Sequence, residues 1–314
     1  MIKKIAFLFR KLLGSKGPTE EVIAFLETET DIVQLVEAPE KVSQQSLDLQ
    51  DEALILAPCI YEVEGKLYDC TRPGIYRFAV PQKANHQRVV LDRKNVFTNA
   101  KILSLLSIRG NCDNHSMFSE KLSKASKRFL RLTCTYNSLF VGKLLSQNGF
   151  STRMVQGHTL ESLNSFSNGH SLLEFYADFF GKYIVVDVDK KGFFRQGSKV
   201  LSMFELCRTI FLGEEFEFVS YAKFPMVDLR FSDLKTGFDY SFYEYSQYAS
   251  SLRMVQALKR ICQVPLISEG GSTYVCSWTK ETDSIVCGIN PRWIILSPES
   301  FLEKFYHQGQ LPNG

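Results

Sequence analysis

The sequence predicts an α+β protein in which one amphipathic helix packs on an antiparallel sheet. Three observations carry the prediction. Tyr136, Phe140 and Leu144 recur every fourth residue as a buried stripe, and Asn148-Gly149 stops the helix they define. Three strand-like runs follow, at 152–158, 170–177 and 182–188. The last two are joined by "DFFGK", a hairpin-sized connection with a glycine.

With 314 residues, 45% of them hydrophobic, the chain can bury a core for one large domain or two modest ones. It has no low-complexity tract, so disorder is expected only at the ends. At the N-terminus the apolar run from Ile5 to Phe9 is broken by Arg10 and Lys11, too short for a signal peptide. Residues 1–16 instead read as a short basic helix, either docked on the body or in peripheral contact with an anionic membrane. No run approaches the ~18 apolar residues of a spanning helix.

A helix at 18–28 starts with Pro18 and Thr19, and 52–80 is strand-rich with a hairpin around Glu64-Gly65. Lys121, Lys124, Lys127, Arg128 and Arg131 recur at helical spacing, which predicts a basic helix over 115–131. Thr133 is the expected N-cap of the stripe-bearing helix. Further on, helices are expected at 198–212 and 242–262, the second preceded by the aromatic run 238–248. A hairpin of "STYVCSW" and "DSIVCGIN" should follow Gly270-Gly271, and a closing helix should start at Ser297-Pro298. The organisation read from this is an N-terminal addition (1–110), a core (111–200) and a C-terminal helical and hairpin addition (201–314) packed on the core.

The net charge of +3 demands no polyanionic partner, although 17–70 is acidic and 83–131 basic. The basic helix reads as a solvated face or as a recruiter of an acidic substrate. It lacks a stacking surface or a nucleic-acid-binding motif, so no nucleic acid is expected. Eight cysteines without a C-x-x-C pair read as reduced thiols in a cytoplasmic protein, and their spacing offers no zinc site. Cys207 and Cys262 fall on apolar helical faces and read as core.

Cys134 differs because it opens a helix. A helix N-terminus and a neighbouring imidazolium both favour a thiolate, the nucleophilic form of cysteine. His170 starts the second strand and Asp187 ends the third. If "DFFGK" closes a hairpin, both lie at one end of it. His170 can then take the thiol proton while Asp187 fixes the imidazole. His158 is the competing base, and Asp189 the rival of Asp187.

These residues resemble the transglutaminase-like superfamily of papain-type cysteine enzymes. The matching elements are Cys134 at a helix start, the Gly149/Arg153/Gly157 element, His170 with Glu174, and an apolar strand ending in Asp187. They cover about residues 130–190. Leu172 stands where the family often has Trp, which bears on the acceptor groove. The resemblance implies a papain/transglutaminase-like core and acyl transfer through a Cys134 thioester on an amide bond, with no metal or organic cofactor. The thioester is resolved by water (peptidase or amidase) or by an amine (transamidation). It also implies an upstream oxyanion donor, for which Asn111, Asn114 and Tyr136 are candidates. Arg153, Glu174, Tyr136 and His158 are candidates for supporting or binding roles. The expected partners are a peptide, amide or acidic acyl donor and an amine acceptor. Two other readings stay open: a leader-peptidase-like maturation protease, and a non-catalytic binding or scaffold protein of this fold.

Overall fold

The computed structural model describes residues 44–47, 53–63, 65–78, 86–161, 168–221 and 251–306. The expected helices at 1–16 and 18–28 and the aromatic run 238–248 lie outside these residues. The N-terminal part contains β1 (Gln44–Ser46), β2 (Ile55–Leu56), β3 (Cys59–Val63), β4 (Lys66–Cys70), β5 (Gly74–Phe78) and β6 (His86–Val90). Then come α1 (Val96–Ser104), β7 (Ser107–Arg109), α2 (Phe118–Ala125), β8 (Leu130–Leu132) and α3 (Cys134–Gln147). Four longer strands follow: β9 (Thr152–His158), β10 (Gly169–Ala177), β11 (Lys182–Asp187) and β12 (Gly192–Gln196). The remainder is β13 (Lys199–Val200), α4 (Met203–Phe211), β14 (Glu217–Ser220), α5 (Ser251–Ile261), β15 (Val264–Glu269), β16 (Ser272–Cys276), α6 (Lys280–Ile289), β17 (Ile294–Leu296) and α7 (Pro298–Phe305).

The protein is mixed α+β. Its main sheet has nine strands, in the order β13-β12-β11-β10-β9-β15-β16-β17, with β14 also paired to β12. All pairings in it are antiparallel except β16 with β17. The β11 sequence "KYIVVD" is apolar on both faces because both are covered. Ile184 and Val186 belong to one core with Phe140, Val141, Leu144 and Leu145 of α3. Val185 joins Val155 and Leu172 in the other core, with Leu206, Leu258 and Phe301. Each such side chain contributes roughly 1.5–3 kcal/mol by leaving water. Gly142 lets α3 approach the sheet closely, since a Cβ there would lie 3.0 Å from Leu173 Cδ1.

Ile75 and Val89 of the N-terminal strands enter the α3 core, while Tyr61, Tyr68, Tyr76 and Phe78 form a small core of their own. The C-terminal strands extend the main sheet, because β15 pairs with β9.

Two expectations need correction. The basic helix spans only Phe118–Ala125, and Arg131 lies in β8, paired with Ile108 of β7. Gly270-Gly271 is itself the turn of a hairpin between β15 and β16, whereas 280–289 is helical. Thr279 caps that helix through Thr282 N–H, and Glu281 and Asp283 occupy its first turn, a helix-start pattern that outweighs the apolar run "SIVCGI". The 198–212 region contributes β13 before α4, and α5 accounts for the described part of 242–262. No helix among the described residues is long and apolar enough to cross a membrane.

Candidate active site

Cys134 is the first residue of α3, half-buried at the helix mouth. Its place is fixed from the N-terminal side. Thr133 occupies the N-cap position, but its side chain makes no capping bond. Instead, the Thr133 N–H donates to Asn114 Oδ1 at 3.0 Å. The loop carrying Asn114 is held by the basic residues that the sequence had placed on a free helix face. Asp113 accepts both Arg128 Nη atoms at 2.8 Å, Lys124 Nζ at 3.1 Å and Arg131 N–H at 2.9 Å. Lys121 Nζ donates to the carbonyls of Asn114 and Ser116. Lys121, Lys124 and Arg128 are therefore engaged by the loop that abuts the cysteine, although Arg128 stays exposed and Lys127 faces solvent.

The first turn of α3 is also tied down on its other sides. Thr135 Oγ1 meets Ser171 Oγ at 2.8 Å, and Gln156 Nε2 donates to the same Ser171 oxygen at 3.3 Å. Asn137, fully buried, donates to Val188 O at 3.0 Å and accepts from Ser107 Oγ at 2.8 Å. That residue joins the helix to the 188–191 turn and to β7. Its sequence signal was a lone amide inside an apolar stripe, three residues after the cysteine.

His170 lies one residue into β10, opposite Gly157 of β9. Its Nε2 is 2.7 Å from Asp187 Oδ2, and Asp187 is fully buried at the end of β11. The second Asp187 oxygen accepts the N–H groups of Asp189 and Lys190 at 3.0 and 2.9 Å. On its other side, His170 is in hydrogen-bonding reach of the Cys134 thiol. With Nε2 taken by Asp187, Nδ1 is the ring nitrogen left for the sulfur. The Ser171 backbone adds a smaller contribution that favours the thiolate.

The electrostatics favour an ion pair. Burial alone would raise the Cys134 pKa, but the His170 hydrogen bond and charge bring it below an ordinary thiol's. Burial alone would lower His170, but Asp187 and the Cys134 sulfur raise it to about 10. Both shifts favour thiolate and imidazolium over the neutral thiol and imidazole.

Asp189 holds a different kind of partner. Its Oδ2 pairs with Arg109 Nη1 at 2.8 Å and Lys190 Nζ at 3.3 Å. Burial would raise its pKa, but Lys190 and Arg109 keep it below the usual carboxylate range. Lys191 adopts a left-handed φ of 60° and is fully buried, its Nζ donating to Val188 O. Donor atoms of His170, Asp187 and Asp189 lie within 4.8 Å of one another. They do not suit a cation, because His170 and Asp187 are bonded to each other and Asp189 faces two cations.

The remaining candidates sit elsewhere in the network. Arg153 Nε donates to Glu174 Oε2 at 2.8 Å, and its Nη1 to Phe305 O at 2.9 Å. Glu174 Oε1 also accepts from Met203 N–H at 2.7 Å and from Tyr306 OH at 2.9 Å. This buried cluster joins the sheet to α4 and α7. His158 packs its ring against Trp293, with Nδ1 2.8 Å from Thr159 O. The Tyr136 hydroxyl meets His115 Nδ1 at 3.5 Å under Lys121, and Asn111 is exposed beside Cys112. Gly157 has a steric reason, since a Cβ there would lie 2.4 Å from Cys262 Sγ. Cys207 and Cys262 are fully buried.

No protein-family model, curated protein or solved structure matches this chain.

Proposed function

We propose that this chain is a cysteine-dependent acyl-transfer enzyme with a papain/transglutaminase-like core. The observation that carries the reading is the relay Cys134–His170–Asp187, with its 2.7 Å His170–Asp187 contact at the mouth of a helix. In this reading the Cys134 thiolate attacks an amide carbonyl carbon, and the oxygen takes up the negative charge. The Cys134 backbone N–H, one of the unpaired donors of the first helical turn, and Asn114 Nδ2 receive that oxygen. His170 Nδ1–H then passes its proton to the departing nitrogen, the C–N bond breaks, and a thioester remains on Cys134. Neutral His170 next takes a proton from water or an amine as it attacks the thioester, which frees the thiol. Asp187 holds the ring in the tautomer that this exchange needs.

The test is to trap the thioester. The protein is mixed with p-nitrophenyl acetate, quenched in acid and digested, and acetyl groups are mapped by mass spectrometry. Acetyl on Cys134 is expected, absent in Cys134→Ala, with turnover slowed about 10²–10⁴-fold in Asp187→Asn. Acetyl groups spread over surface lysines, with none on Cys134, contradict the reading. Adding a primary amine then divides the two branches: an amide product marks transfer, and acetate alone marks hydrolysis.

A further inference from the structure

We propose that Cys59 and Cys70 form a cross-strand redox pair that closes into a disulfide when a small-molecule disulfide, such as oxidised glutathione, reaches it. The two residues face each other directly across the antiparallel β3–β4 hairpin. Directly opposed residues carry their side chains on the same face, with Cα atoms about 4.5–5.5 Å apart. A disulfide spans about 4.4–6.8 Å between Cα atoms, so the register alone meets the distance. Neither cysteine is in a disulfide. Burial raises the Cys70 thiol, with Asp69 and Cys59 adding to it, and both cysteines raise Tyr61 on the same strand pair. Among the described residues, no other two cysteines are register partners.

Their exposures differ in the way a two-step closure uses. Cys59 is half-buried and can meet an oxidant, whereas Cys70 is fully buried among Tyr61, Tyr68, Tyr76 and Phe78. The Cys59 thiolate attacks one sulfur of oxidised glutathione. That S–S bond breaks, a mixed disulfide forms on Cys59, and one glutathione thiolate leaves and takes up a proton. Cys70 then loses its proton and attacks Cys59 Sγ. The mixed disulfide breaks, the Cys59–Cys70 bond forms, and the second glutathione departs. Two protein thiols are oxidised and one glutathione disulfide is reduced to two thiols. Burial pushes the Cys70 thiol up to about 12, so closure is slow at neutral pH and favoured by proximity. Where the second step limits, its rate rises about tenfold per pH unit below that value. The pair sits in the small N-terminal core.

The test uses the full chain, treated with oxidised glutathione at pH 8, blocked with N-ethylmaleimide and mapped without reduction. The expected result is a cross-linked peptide joining Cys59 to Cys70, with neither thiol carrying maleimide or glutathione. In Cys70→Ser, Cys59 should instead accumulate as the glutathione mixed disulfide. If wild-type Cys59 carries glutathione to the same extent as the variant, or both thiols stay fully alkylable, the pair does not close and the proposal is overturned. Cys134 is mapped in the same digest, so its own oxidation is not confused with this one.

Discussion

Asp187 and Asp189 are separated by a single residue, yet one holds an imidazole and the other a guanidinium and an ammonium. Alternation in a continued strand would put them on the same face, so spacing alone does not choose between them. The turn chooses. Asp187 Oδ1 accepts the N–H groups of the next residues but one and two, an Asx-type turn that turns its other oxygen to His170. Asp113 shows the same logic away from the sulfur. Burial would raise its carboxyl, but Arg128, the Arg131 N–H and Lys124 hold it at about 2. Because its folded value lies below its ordinary one, its contribution is complete above pH ~4 and is lost as pH falls toward about 2. Urea midpoints measured from pH 6 to pH 2 should therefore fall more steeply for wild type than for Asp113→Asn. At pH 6 the variant should be about 2–4 kcal/mol less stable, because the cations it abandons stay partly buried. Parallel pH curves for the two proteins would remove this role.

The Cys134 helix was legible because its stripe, its stop signal and its glycine are local properties of the chain. The basic segment before it was misread for a physical reason. Lys121, Lys124 and Arg128 do recur at helical spacing, but they converge on the Asp113–Ser116 loop, and Arg131 is drawn into β8 by pairing with β7. A loop that gathers cations around one aspartate has the same spacing as a helix face. Gly157 was noticed through its motif, but its reason, the Cys262 side chain against it, depends on a contact 105 residues away in sequence. Gly157→Ala should cost about 1–3 kcal/mol in thermal unfolding, since Cys262 Cα and Cβ as well as Sγ crowd the new methyl. An unchanged melting temperature would mean that β9 and α5 can separate freely there.

Arg153 and Glu174 bind the C-terminal third to the sheet. The guanidinium lies over the Tyr183 and Tyr306 rings at 4.0 and 4.6 Å, and Glu174 receives bonds from α4 and from Tyr306, at the end of α7. Nothing local in the sequence announces this, because the partners are separated by up to 152 positions. Glu174→Ala should destabilise the protein by about 3–5 kcal/mol by stranding a buried cation. The folded fraction should keep the wild-type alkylation rate at Cys134; a selective loss of that reactivity would move Glu174 into the site itself.

The central claim is the ion pair between Cys134 and His170. The most direct measurement is the iodoacetamide alkylation rate of each cysteine at pH 6, mapped by peptide mass spectrometry in wild type and in His170→Ala. The account predicts that Cys134 leads the other seven thiols and that His170→Ala slows it about a hundredfold, the change expected as a depressed thiol returns to an ordinary value near 8.5. Equal, sluggish alkylation of all eight thiols, or a lead by another cysteine that ignores His170, would contradict it.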